Sequence, residues 1–227
     1  MAMRLERDVI VEGCRYQITI SDEEEALLAA KAAGRAIIGI WSPHPQPGGQ
    51  EALKDCLYLV TEAEQVTETL LERVQRRSLG LPWQILETKR LLIREFCGED
   101  PLEPPSQEDG QGVFSDREKR RAYIRSQYYF CECGLWALVE RASGRIVGKA
   151  GITAGELGYH IYPPYRGCGF AKEACEAILK YAGEELELDM VALRIEKGNA
   201  VSCHLADRLG FIRQGEESGS WVYQVSL

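Results

Sequence analysis

Tyr165-Arg166-Gly167-Cys168-Gly169-Phe170-Ala171 is a small-residue turn between an apolar, strand-like run and the helix-like Lys172–Lys180. Glycines let the backbone turn tightly and come close to a ligand, and the unpaired N–H groups of the first helical turn point outward at one spot. That combination binds phosphate. A second polar cluster, Asn199-Ala200-Val201-Ser202, precedes the short run His204–Leu209 and the punctuation Gly210-Phe211.

The elements that must position these groups are legible around them. Gly155–Tyr162 has the aromatic and branched composition of a strand, and Pro163-Pro164 stops it just before the turn. Gly210 falls where a helix C-terminus is closed, and Phe211 opens a strand that turns at Glu216–Gly219 and returns as Trp221–Val225. Upstream, Leu135–Glu140 and Arg145–Ile152 read as a hairpin around Ser143-Gly144, and Glu87–Phe96 reads as one strand.

The spacing of Arg166, Gly169 and Ala171 resembles the pyrophosphate-binding signature of the GNAT superfamily of N-acetyltransferases. Asn199 with Ser202, followed by Leu209-Gly210-Phe211, is similar to that family's second signature. Thr88-Lys89-Arg90-Leu91 resembles the opening of its ribosomal-protein alanine acetyltransferase branch. The resemblance covers residues 83–227 and implies an α/β (α+β) fold with a mixed, splayed central sheet. It implies acetyl-CoA as acyl donor and a primary amine, on a small molecule or a protein N-terminus, as acceptor. On the same ground the amides of Gly167, Cys168, Gly169, Phe170 and Ala171 cradle the pyrophosphate with Arg166. The pantetheine arm pairs with main chain near Ile161 and Tyr162, where an N–H receives the oxyanion, and Asn199 and Ser202 complete the cofactor site. Glu156 is the expected general base, with His160, a side chain that titrates near neutrality, as its alternative. The tyrosine that many members place four residues before the Leu-Gly-Phe glycine is Ala206 here. Ser202 is therefore the expected proton donor to the thiolate, unless it caps the next helix.

Residues 1–82 read as a separate, small half-Rossmann-like α/β unit. Arg15–Ile20 is a strand, Ser21 a helix cap, Glu25–Ala33 a helix stopped by Gly34, and Arg35–Trp41 a second, parallel strand. Cys56–Val60 and a helix from Glu62 to about Arg77 repeat the theme. The unit resembles the last strands of a haloacid dehalogenase-like phosphatase without that family's nucleophile aspartates. Its loop Ser42–Gly49, with His44, lies at the edge where α/β sheets bind ligands, although a stiff surface connection explains its prolines. A dimerisation or stabilising role for the unit keeps a homodimer open. A second prolined loop, Gly98–Gly112, is a place for substrate preference.

Composition bounds the rest. The 227 residues are 45% apolar, enough for a sizeable core, and the net charge is −8, which on average repels nucleic acid and favours cationic acceptors. Eight cysteines without paired spacing suit free thiols rather than a metal site. No run has membrane-spanning length and Met1–Asp8 lacks the apolar core of a signal peptide, so a cytoplasmic protein is expected. The competing reading is a non-catalytic acyl-CoA sensor that uses its N-terminal unit to contact a partner.

Overall fold

A computed structural model describes residues 3–41, 53, 56–103 and 112–227, the Phe130 side chain excepted. The whole loop Ser42–Gly49 with His44, and residues 104–111 of the second prolined loop, lie outside the described residues. The chain divides into two compact units, Met1–Trp83 and Gln84–Leu227.

The first unit is a four-stranded sheet of β1 (Arg4–Val11), β2 (Cys14–Ser21), β3 (Ile37–Ile40) and β4 (Leu59–Val60), in that order. β1 and β2 form an antiparallel hairpin, whereas β2, β3 and β4 run parallel, with α1 (Glu24–Ala32) crossing from β2 to β3. The expected parallel pair is present. β1 escapes the sequence pattern because only its last turns, Val9 and Val11, face the core, and the charged run before them stays exposed. Three local expectations need correction. Ser21 ends β2 instead of capping α1: its hydroxyl donates to the Met3 carbonyl and accepts from the Glu23 N–H. The strand expected over residues 56–60 is reduced to Leu59–Val60. The following helix, α2 (Glu68–Ser78), starts late because Thr67 caps it, accepting from the Leu70 N–H at 3.1 Å. Ile18, Ile20 and Ile38 pack with Leu71 and Val74 of α2 in the unit's own core.

The second unit is an eight-stranded sheet. Its strands are β5 (Gln84–Glu87), β6 (Leu91–Arg94), β7 (Gly134–Glu140), β8 (Ile146–Thr153), β9 (Glu156–Ile161), β10 (Met190–Glu196), β11 (Ile212–Glu217) and β12 (Ser220–Ser226). The spatial order is β11-β12-β10-β9-β8-β7-β6-β5. The single strand expected over 87–96 is a hairpin, β5 and β6, broken at Thr88–Arg90, where the Thr88 N–H bonds the Leu91 carbonyl at 2.8 Å. All neighbours are antiparallel except β9 and β10, which are parallel and register at one pair, Glu156 with Ala192. Beyond it the two strands part, which makes the sheet mixed and splayed. Side chains of α4 (Phe170–Glu184) cover one face, with Ala174, Ile178 and Ala182 buried against Trp136, Ala150 and Leu157. Phe114 and the helical segment α3 (Arg117–Tyr123), continued as a π-helix over Ile124–Phe130, belong to the same core. The last helix, α5 (Ala200–Arg208), precedes the closing hairpin β11–β12. Among the described residues no helix is long and apolar enough to cross a membrane.

Candidate active site

β9 ends in a 3-10 turn, Pro163–Tyr165, and the chain then passes through Gly167 and Gly169 into α4. Both glycines are left-handed, with φ of 78° and 81°, a conformation that a side chain strains. Gly169 is also the N-cap of α4, and no side chain caps that end. The positive end of a 15-residue helix therefore opens onto the turn. The Arg166 guanidinium beside it is oriented by a bond from Nε to the Ile161 carbonyl, 3.0 Å.

The turn is braced from behind by residues that sequence reasoning did not assign. Glu173, in the first turn of α4, accepts from the Thr88 hydroxyl at 2.6 Å, the Arg90 N–H at 2.8 Å and Arg90 Nε at 2.6 Å. Arg90 also donates to the Cys168 carbonyl at 2.8 Å and lies 4.6 Å from the centre of the Phe170 ring. Burial acts to raise the Glu173 pKa, but these bonds outweigh it and hold it below the usual carboxylate range. The Thr-x-Arg spacing was the available signal: it places a hydroxyl, an amide and a guanidinium around one carboxylate.

A cleft of about 700 Å³ runs from this turn along β9 to α5. It brings together most of the residues singled out from the sequence: His160 and Ile161 on β9, Arg166, Gly167, Gly169, Phe170 and Ala171 in the turn, and Asn199 with Ser202 at the start of α5. Phe170 buries its side chain in the core, so it offers the cleft mainly backbone. Tyr162, Cys168 and Glu156 are not in the lining. The Tyr162 N–H is bonded to the Val147 carbonyl at 2.9 Å, on the β8 side. By strand alternation the Ile161 N–H projects from the opposite edge, toward the gap with β10. Of the two expected oxyanion donors, Tyr162 is thus excluded. Glu156 accepts from Arg194 Nε at 2.7 Å, and Arg194 also binds Glu217 at 2.7 Å. Asn199, not Ser202, caps α5, its side-chain oxygen accepting from the Ser202 N–H at 3.1 Å.

His160 belongs to a different charge group. Its Nε2 lies 3.7 Å from Glu103, whose other oxygen takes a 2.6 Å bond from the buried Lys149. Lys149 sits opposite His160 in the β8–β9 register and 4.4 Å from the centre of the Phe114 ring. Glu103 is delivered by a braced loop. Arg94 grips Asp100 through two bonds of 2.7 and 2.8 Å, and Arg120 donates to the carbonyls of Gly98, Asp100 and Pro101. Burial acts to raise the Asp100 pKa, but the Arg94 bonds override it and keep it low. Glu103 has no sequence motif; only the fold brings it to His160.

A cleft beside a splayed parallel strand pair and a helix end without a side-chain cap has the chemistry to receive an anionic group. Comparison with known proteins identifies the class. The model of the acetyltransferase (GNAT) domain matches residues 90–212, more than half of the chain, and the protein belongs to that family. Members of that family generally take an acyl group from acetyl-CoA. YdaF of Bacillus subtilis, provisionally named a ribosomal N-acetyltransferase, is 39% identical over 61 residues, 27% of this chain and 33% of its own length. YnaD of the same organism, an uncharacterised N-acetyltransferase, is 26% identical over 57% of this chain and 84% of its own. The chain thus spans about a third of YdaF. A Vibrio cholerae structure, provisionally described as a ribosomal-protein-serine acetyltransferase, superposes with a TM-score of 0.53 at 21% identity over 64% of this chain and 98% of that one.

Proposed function

We propose that this enzyme moves the acetyl group of acetyl-CoA to a primary amine by direct attack in a ternary complex. The observation that carries this reading is the uncapped N-terminus of α4 opening beside the gap between β9 and β10. Amides of the Gly167–Ala171 turn and Arg166 hold the pyrophosphate, whose charge suits both the dipole and the guanidinium. The arm adds to the free edge of β9 as an extra strand, and Asn199 flanks it. The Ile161 N–H is aimed at the developing oxyanion.

His160 takes the proton of the attacking amine, directly or through water. Glu103 faces Nε2 at 3.7 Å and is itself ion-paired with Lys149 at 2.6 Å. Ser202 faces the thiolate side. A protein N-terminus is the acceptor class suggested by the names of YdaF and of the V. cholerae structure. The test is mass spectrometry of acetyl-CoA reactions with a panel of peptides bearing ribosomal-protein N-termini and with polyamines. A peptide N-terminus is expected to be acetylated, and His160→Gln is expected to lower kcat roughly a hundredfold with unchanged acetyl-CoA affinity. Acetyl-CoA consumed by water alone across both panels would contradict the proposal.

A further inference from the structure

Ala206 in α5 is fully buried and carries no proton donor. A serine alone is a weak acid, so Ser202 needs a source for the proton it gives. Tyr159 lies on β9. It projects from β9 on the face that packs against α4, beside Ala150 in the register, and lines the same cleft as Ser202. Its hydroxyl is buried and makes no hydrogen bond of ordinary geometry, Ser202 being the polar side chain within its reach. Buried polar groups are almost always partnered, so an orphaned phenol at a cleft calls for an explanation. Burial pushes its pKa up, and the Ser202 side chain is close enough to oppose that rise.

We propose that Tyr159 and Ser202 form a proton relay that serves the departing thiolate. The inference rests on the acetyl-transfer reading above. As the C–S bond breaks, its electron pair stays on sulfur. Ser202 gives its hydroxyl proton to that sulfur and takes the Tyr159 proton in the same movement. The phenolate recovers a proton through Ser202 once the product leaves and water enters. Tyr159 acts through Ser202 and is in this sense a positioning and proton-supplying residue. The relay places the phenol on strand β9 instead of on α5.

The test uses the full chain with hydroxylamine as acceptor, because it is neutral near pH 7 and needs no base, so thiol release reports on the leaving-group side. Tyr159→Phe, Ser202→Ala and the double variant are each expected to lose roughly a hundredfold in kcat. The double variant should lose no more than either single one, since the two groups act as a unit. Tyr159→Phe should also lose the high-pH fall in kcat and melt no lower than wild type, because the contact with Ser202 no more than offsets the cost of burying the hydroxyl. Full kcat in Tyr159→Phe, or losses that multiply in the double variant, would overturn the relay. A melting temperature lowered by several degrees with kcat preserved would show a structural hydroxyl and overturn it as well. Calorimetry separates the two levels: variants that bind acetyl-CoA like wild type leave the cofactor reading intact whatever their rate. A wild type that fails to bind acetyl-CoA, or binds it and releases no thiol, overturns that reading and the relay with it.

Discussion

Cys168 sits between two left-handed glycines with its side chain exposed and its carbonyl held by Arg90. Cys175, two turns into α4, is buried, and burial pushes its pKa up to about 12. Their reactivities should therefore differ sharply, since the thiolate is the nucleophile. Iodoacetamide with peptide mapping is expected to modify Cys168 in the native protein, to spare Cys175, and to be slowed at Cys168 by acetyl-CoA bound at the turn. Labelling of Cys168 indifferent to acetyl-CoA would count against the position assigned to the pyrophosphate. At this scale the sequence shows residue types and spacing but not partners. Glu156 and His160 stand on the same strand and both could accept a proton; only the fold reveals that Arg194 holds the first and that Glu103 faces the second.

The clamp of Thr88, Arg90 and Glu173 ties the start of β6 to the start of α4, and thereby fixes the turn between β9 and α4. Glu173→Ala is expected to cost about 1–2 kcal/mol and to weaken acetyl-CoA binding several-fold without touching the ligand. Because the folded Glu173 pKa is depressed, its stabilisation is complete above the ordinary carboxylate value near 4 and is lost as pH falls from there through the folded value. Urea midpoints of wild type and Glu173→Ala should accordingly converge below about pH 4; a gap that persists in acid would argue against the carboxylate as its source. Elements were legible where pattern and punctuation agreed, as in the β7–β8 hairpin and in Pro163-Pro164 ending β9. They were hidden where one face stayed wet, as in β1, or where a turn has no glycine or proline, as at Thr88–Arg90 between β5 and β6.

Two units with separate cores make up the whole molecule, one around Ile18, Ile20 and Leu71, the other around Trp136, Leu138 and Ile178. Scanning calorimetry should resolve two transitions, and acetyl-CoA at a hundredfold excess over its Kd should stabilise one of them by about 2.7 kcal/mol. That transition should be the only one seen in a chain of residues 84–227. A single transition for the full chain would mean that the units melt together. Both signatures of the second unit could be read from glycine and asparagine spacing because they are local in sequence. The charge group of His160 and the pairing of Tyr159 with Ser202 join residues tens of positions apart, and no local pattern carries them; of the brace behind the turn only its Thr88-x-Arg90 half is local. The most direct test of the central claim is calorimetric titration of acetyl-CoA into the full chain and into Arg166→Ala. The account predicts saturable one-to-one binding by wild type, weakened at least tenfold, or about 1.4 kcal/mol, in the variant. Absence of wild-type binding, or equal binding by both, would contradict it.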